Sequence, residues 1–196
     1  MARSSLPASS EPMTRGTVLH SSIEACRELW GEEGLRDALA RLPADVREAT
    51  TGADFTTLRF YPTRYVNAWD EAKMAGPARG DEQEFRRSVA RGMELGFGRV
   101  RRVFLSFATP LLLAQRAAEL WRHDHTHGEL SVDSSERDQG RARVTLVGHP
   151  FVETPLARLA FAEVVRHLLS MSRARDVRET HAPSGESLVV ALSWQA

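Results

Sequence analysis

The sequence predicts an α+β fold: a helical N-terminal half followed by a ββαββ unit whose four strands form an antiparallel sheet packed on helices. Three observations carry this. From residue 16 to 121 apolar side chains recur three or four apart, the helical period, whereas from residue 129 they alternate, the period of a half-buried strand. Between two pairs of alternating runs lies one long apolar stripe, "TPLARLAFAEVVRHLLSMSRA" at 154–174.

Residues 1–15, "MARSSLPASSEPMTR", mix Ser, Pro and Ala without periodicity and read as a disordered leader before a single domain over 16–196. In "GTVLHSSIEACRELWGEEGLRDALARLP" the set Leu19, Ile23, Cys26, Leu29 and Trp30 and the set Leu35, Ala38, Leu39 and Leu42 predict two helical segments around "GEEG", closed by Pro43. Residues 44–61 are less periodic and read as a connection with room for a short helix. Pro62 suits the first turn of a helix carrying Tyr65, Val66, Trp69 and Ala72, and "AGPARGD" at 75–81 is a turn.

A long helix is predicted from Glu82 to Phe107. Within it Gly92 and Gly96 each weaken the helix by roughly 1 kcal/mol relative to Ala, so a neighbouring backbone is expected to pack closely there. Pro110 starts the next helix, running through Trp121. "ELSVDSS" and "ARVTLVG" then form a hairpin around "ERDQGR". Thr154 caps the helix of the apolar stripe with Pro155 in its first turn, and "RDVRETHA" and "SLVVALSW" supply two strands around "PSGE".

Composition narrows the function classes. The 196 residues carry 26 Lys+Arg against 26 Asp+Glu, so no net field draws the chain to nucleic acid. No apolar run approaches the roughly 20 residues that span a bilayer. The single Cys26 cannot close an intramolecular disulfide, and the expected setting is the cytoplasm.

"WRHDHTHGEL" places His123, His125 and His127 at i, i+2 and i+4, which an extended strand would present to one metal ion; a helix end or an open loop would scatter them. Cys26 lies on an apolar stripe with no paired base and reads as a small core residue. "GFGRV" at 96–100 lies inside a helical pattern without a preceding strand, so it is no phosphate loop. The basic run Arg99 to Arg102 reads as a solvated helix face, and His149 and His167 read as packed histidines.

The segment at 16–43, "YP" at 61–62, "LW" at 120–121, the ββαββ end and "ARDVRETHAPSGESLVVALSW" together resemble the superfamily that joins haem nitric-oxide-binding domains, TRAPP transport subunits and four-vinyl-reductase domains. They are most similar to a paralogous family abundant in myxobacteria. For the haem-binding members the resemblance implies a histidine in the helix before the first hairpin and a Tyr-x-Ser-x-Arg pattern on the sheet. Here "PLLLAQRAAELW" has Gln115 near the first place and "LVGHPFVE" lacks the second, so haem is disfavoured and no cofactor is expected. The vinyl-reductase likeness implies thiolates near the last turn, where this chain has Ala182 and Ser187 beside His181, Gly185 and Glu186.

The TRAPP likeness implies a dimer that works without catalytic side chains and can hold an acyl chain between sheet and helices. The expected function is therefore a non-enzymatic ligand-binding or protein-interaction module, homodimeric through its helical half. It would take a small apolar ligand or a protein partner, with lining from Phe104, Phe107, Leu111, Leu112, Phe161 and Val165 on helices flanking the sheet. The alternatives are a metal-dependent sensor or enzyme on the three histidines, and a regulator of a small GTPase.

Overall fold

The computed structural model describes residues 11–195, with the side chains of residues 98–107 outside that description. Prolines punctuate it. Pro43 and Pro62 immediately precede helices α2 (Ala44–Thr51) and α3 (Thr63–Ala75), while Pro110 and Pro155 are the first residues of α5 (Pro110–Asp124) and α6 (Pro155–Ser170), where a missing N–H costs nothing. The remaining helices are α1 (Gly16–Arg41) and α4 (Glu82–Phe107). α1 is kinked at Gly31, whose φ of 67° falls within the "GEEG" break.

Two sheets accompany the helices. β3 (Glu129–Asp133), β4 (Arg141–Val147), β5 (Arg175–Ser184) and β6 (Ser187–Gln195) form an antiparallel sheet in the order β3-β4-β6-β5. Its inner face follows from the alternation: Val132, Val144, Val190 and His181 are opposed across it in one row, Leu130, Leu146 and Leu188 in another. A second, two-stranded sheet was not foreseen. β1 (Met13–Arg15) pairs with β2 (Phe60–Pro62), so the last residues of the expected leader are ordered and Pro62 ends a strand instead of opening a helix. The cause is tertiary. Thr14 is fully buried, its hydroxyl lying 2.9 Å from that of Thr63.

Helix α6 joins the two halves. Its Phe161, Ala162 and Leu169 belong to the core on the inner face of the sheet, with Trp121, Leu146, Leu188 and Val190, while Leu159 and Ala160 pack with Phe85 and Val89 of α4. Leu19, Ile23, Cys26, Val46, Val66 and Trp69 close a further core among α1, α2 and α3. The close approach expected at Gly92 and Gly96 is made by α1: a Cβ on Gly92 would lie 3.6 Å from the Ser21 carbonyl, and one on Gly96 would lie 3.3 Å from the Ser21 hydroxyl.

The Thr154 hydroxyl accepts from the Ala157 amide at 3.1 Å. Thr154→Ala is expected to lower stability by about 1 kcal/mol in urea melts, with Thr154→Ser restoring most of it. Among the described residues no helix is long and apolar enough to cross a membrane.

Candidate functional site

Small side chains leave space between α5 and the sheet. Leu113, Ala114 and Ala117 of α5 face Leu130 and Val132 of β3, Ala142 and Val144 of β4 and Leu192 and Trp194 of β6, with Val165, Leu168 and Leu169 of α6 closing one side. Three alanines where the facing rows carry valine and leucine keep the layers from interdigitating fully. The resulting cavity is about 80 Å³, or about 570 Å³ of unfilled space when its open mouth is included. Besides the Trp194 indole, the polar side chains of its wall are Ser134 and Arg137, both in the β3–β4 connection.

Of the expected lining, Val165 stands in this wall. Phe161 does not: it is buried in the core with its ring 5.8 Å from Trp121. Leu112 is 47% exposed, off the face of α5 that carries Leu113, Ala114 and Ala117, and Leu111 is outside the wall. The side chains of Phe104, Phe107 and the basic run 99–102 lie outside the described residues. Periodicity finds the apolar stripe of a helix, but it does not say which part of the stripe meets a void and which meets a ring.

The three spaced histidines are not brought together, because their segment is not a strand. Helix α5 runs through Asp124, which puts His123 on its last turn with Nδ1 2.8 Å from an Asp124 oxygen. His125 then leaves the helix and stacks on Trp121, ring centroids 3.9 Å apart, with Nδ1 3.2 Å from the Thr14 hydroxyl. His127 makes a separate contact, its Nδ1 2.8 Å from the Thr126 hydroxyl. Among the described residues no group of three or more His, Cys, Asp or Glu side chains is placed to hold a metal.

What the segment builds instead is an enclosed aromatic cluster. The Trp121 indole N–H donates to the carbonyls of His127 and Gly128, both at 3.1 Å, wrapping the chain over the ring. Gly128 permits the wrap: its φ is +81°, and a Cβ there would lie 2.9 Å from the Cβ of His149. His149 is edge-on to Trp121, His125 and Phe151 at 4.8, 5.2 and 4.4 Å between ring centroids. Its Nδ1 accepts from the Phe151 amide at 3.3 Å, which assigns the proton to Nε2, a buried atom without a hydrogen-bond partner among the described residues. Burial pushes the His125 imidazole down to about 3. His149 is likewise pushed down to about 3 by burial, reinforced by His125 and His127.

A second cluster had one visible signal, a glutamate inside the apolar stripe of α6. Glu163 is buried and accepts from Arg166 at 2.6 and 2.8 Å, with Arg86 of α4 at 3.4 Å. Arg86 also reaches Glu179 of β5 at 2.7 Å, and the other Glu179 oxygen lies 3.1 Å from Nδ1 of His181. Each carboxylate is held by a guanidinium, so neither is a free base; the cluster ties α4, α6 and β5 together. Cys26 is fully buried and its thiol is pushed up to about 11 by burial, which withholds the thiolate that reactivity requires.

No protein-family model matches the sequence, and no curated protein matches it. Solved structures do. A doubly substituted Tt H-NOX domain superposes with a TM-score of 0.66 at 11% identity, covering 93% of this chain and 95% of that one. An oxygen-binding H-NOX domain related to soluble guanylate cyclases, in its oxygen complex, gives 0.63 at 11% over 93% and 95%. A third structure, described as modulating haem redox potential through protein-induced porphyrin distortion, gives 0.59 at 12% over 91% and 99%. The chain thus has an H-NOX-like fold over more than nine-tenths of its length.

These likenesses overturn the expectation that haem is disfavoured and no cofactor is to be looked for: the fold is shared with a protein described by its haem. Tested against such a group, the cavity wall supplies apolar contacts and one arginine. Among the described residues it contains no His, Cys, Met or Tyr that could coordinate iron, and Gln115 of α5 is exposed. Iron coordination therefore forms no part of the function derived from this wall.

Proposed function

We propose that this chain is a non-enzymatic ligand-binding module of regulatory type, which takes a small apolar molecule into the cavity between α5, α6 and the sheet. The observation that carries the reading is the cavity itself: a concave, open-mouthed space with apolar walls and two polar side chains at one end, of the kind small-molecule sites use. The H-NOX-like fold supports it, since an oxygen-binding domain is built on the same frame. The clusters outside the cavity support it as well. Their charges are matched and their histidines enclosed, which suits a scaffold more than a reaction centre.

Ligand entry would be read out through α5 and α6, the two helices of the wall. α6 also contacts α4 through the Arg86–Glu163 pair, so a shift of α6 would be felt in the helical half. The test is native mass spectrometry of the untagged full chain, as purified and after addition of haemin. We expect one organic molecule per chain, and its loss in Ala114→Phe, which fills the cavity from α5. A wild-type chain that neither retains nor takes up such a molecule, or an Ala114→Phe variant that binds like wild type, overturns the proposal. The same spectra report assembly, which the TRAPP likeness predicts to be dimeric.

A further inference from the structure

The four-stranded sheet covers its core with one face only. Val132, Val144 and Val190 turn inward to the core that α5 and α6 share, so the alternate residues of the same strands turn out. Two rows cross the middle of that outward face. Ser131, Thr145, Val189 and Ala182 stand opposite one another across β3, β4, β6 and β5, and Asp133, Arg143, Ala191 and Thr180 form the next row. Among the described residues none of these eight belongs to a hydrophobic core.

Long charged side chains across a solvated sheet face keep other sheets away. Here the middle is short-chained on β5 and β6, and the one charged pair within it, Asp133 opposite Arg143, is internally matched. The unmatched charges are segregated by sign to the two ends. Glu129 opens β3 and Glu186 stands in the β5–β6 turn, at the end where Val147 is 41% exposed. Arg141 and Arg178 flank Ser193 at the opposite end. Among the described residues Glu129, Glu186 and Arg178 are in no ion pair, while Arg141 comes no nearer than 3.8 Å to an exposed Glu136, a contact worth little in water.

We propose that this face is covered by a second copy of the chain, the two sheets packing face to face about a two-fold axis that lies between them and across the strands. Such an axis turns one copy end for end, so the Glu129 and Glu186 end of each sheet lies over the Arg141 and Arg178 end of the other, twice by symmetry. An axis along the strands would instead lay like charges over like. The short side chains between the ends let the sheets approach to the usual separation of about 10 Å. Four strands about 4.8 Å apart and about seven residues long give a flat footprint of about 400 Å² on each copy, at the small end of specific interfaces, so the dimer is a reversible one. It differs from the dimer through the helical half that the TRAPP likeness implies. It also stands apart from the ligand reading, since the cavity lies under the other face of the sheet.

The experiment is sedimentation velocity of the untagged full chain over about 1 to 100 μM, where wild type is expected to pass from monomer to dimer. Ala191→Arg and Ala182→Arg each put a long cation into the middle of the face, on different strands, and each is expected to raise the dimer Kd about tenfold or more. Both positions are exposed, so circular dichroism of the two variants should match wild type. Arg178→Glu and Glu186→Arg are each expected to weaken the dimer about tenfold, while the double variant, which exchanges the two charges, returns to within a few-fold of wild type.

A wild-type chain that stays monomeric up to about 100 μM overturns the proposal. So does a dimer that both alanine variants leave intact, which would place the contact away from the sheet. Single charge reversals without effect, or a double variant that is not rescued, overturn the end-for-end arrangement.

Discussion

Lowering the pH from about 7.5 to about 5 is expected to cost this domain on the order of 3 kcal/mol of stability, a fall of roughly 10 °C in Tm. The source is the pair His125 and His149, both held near 3 by burial. In the unfolded chain an imidazole titrates near 6.5, so between about 6.5 and about 3 the unfolded state binds protons that the folded state refuses. The stability that depends on neutral rings is complete above that window and drains as pH falls through it, by up to about 1.4 kcal/mol per unit for each ring. The two rings lie 5.2 Å apart, so charging one further opposes charging the other. His167, also lowered by burial, acts in the same direction. Few carboxylates titrate in the upper part of this range, which makes urea melts at steps of pH a direct reading.

The control is the double variant His125→Phe with His149→Asn. Phenylalanine can keep the stack on Trp121, and asparagine offers an oxygen to the Phe151 amide in place of Nδ1. Its stability should be markedly flatter with pH. A wild-type profile that stays level down to about pH 5 would show that the cluster opens to water at little cost.

Replacing Lys73 is the second large effect. The sole lysine of the chain is buried in the helical half, with Nζ 2.9 Å from Asp70 and 2.9 Å from the Ser22 hydroxyl, and 5.5 Å from the centre of the Phe85 ring. Asp70 is buried beside it. Lys73→Met leaves that carboxylate in the core without a cation, and the expected loss is about 3–5 kcal/mol. Adding Asp70→Asn removes the stranded charge, so the double variant should regain most of the loss. Urea denaturation of the four proteins closes the cycle; strictly additive losses would mean that the two groups do not depend on each other.

The histidine and lysine sites differ in how far the sequence reveals them. His125 stands out in "WRHDHTHGEL", but its partner His149 is 24 positions away and its hydroxyl neighbour Thr14 lies in a segment that reads as disordered. Lys73 follows Asp70 by three, an ordinary surface pair by spacing, and nothing local says that α1 and α4 close over it. Glu163 carries a local signal that the sequence analysis did not use, a charge within an apolar run that has to find a partner, while nothing local points to Arg86 and Glu179.

By itself the sequence determined the α+β class, the boundaries set by Pro43, Pro110 and Pro155, and the inward faces of β3, β4 and β6. Each depends on periods of two or 3.6 residues and on backbone limits that act within a few positions. The order β3-β4-β6-β5, the pairing of β1 with β2, the scattering of the three histidines and the cavity beside Ala114, Ala117 and Ala142 were decided by tertiary structure. Those features depend on which surfaces meet across long separations in sequence, and on how closely side chains from four or five elements fill the space between them.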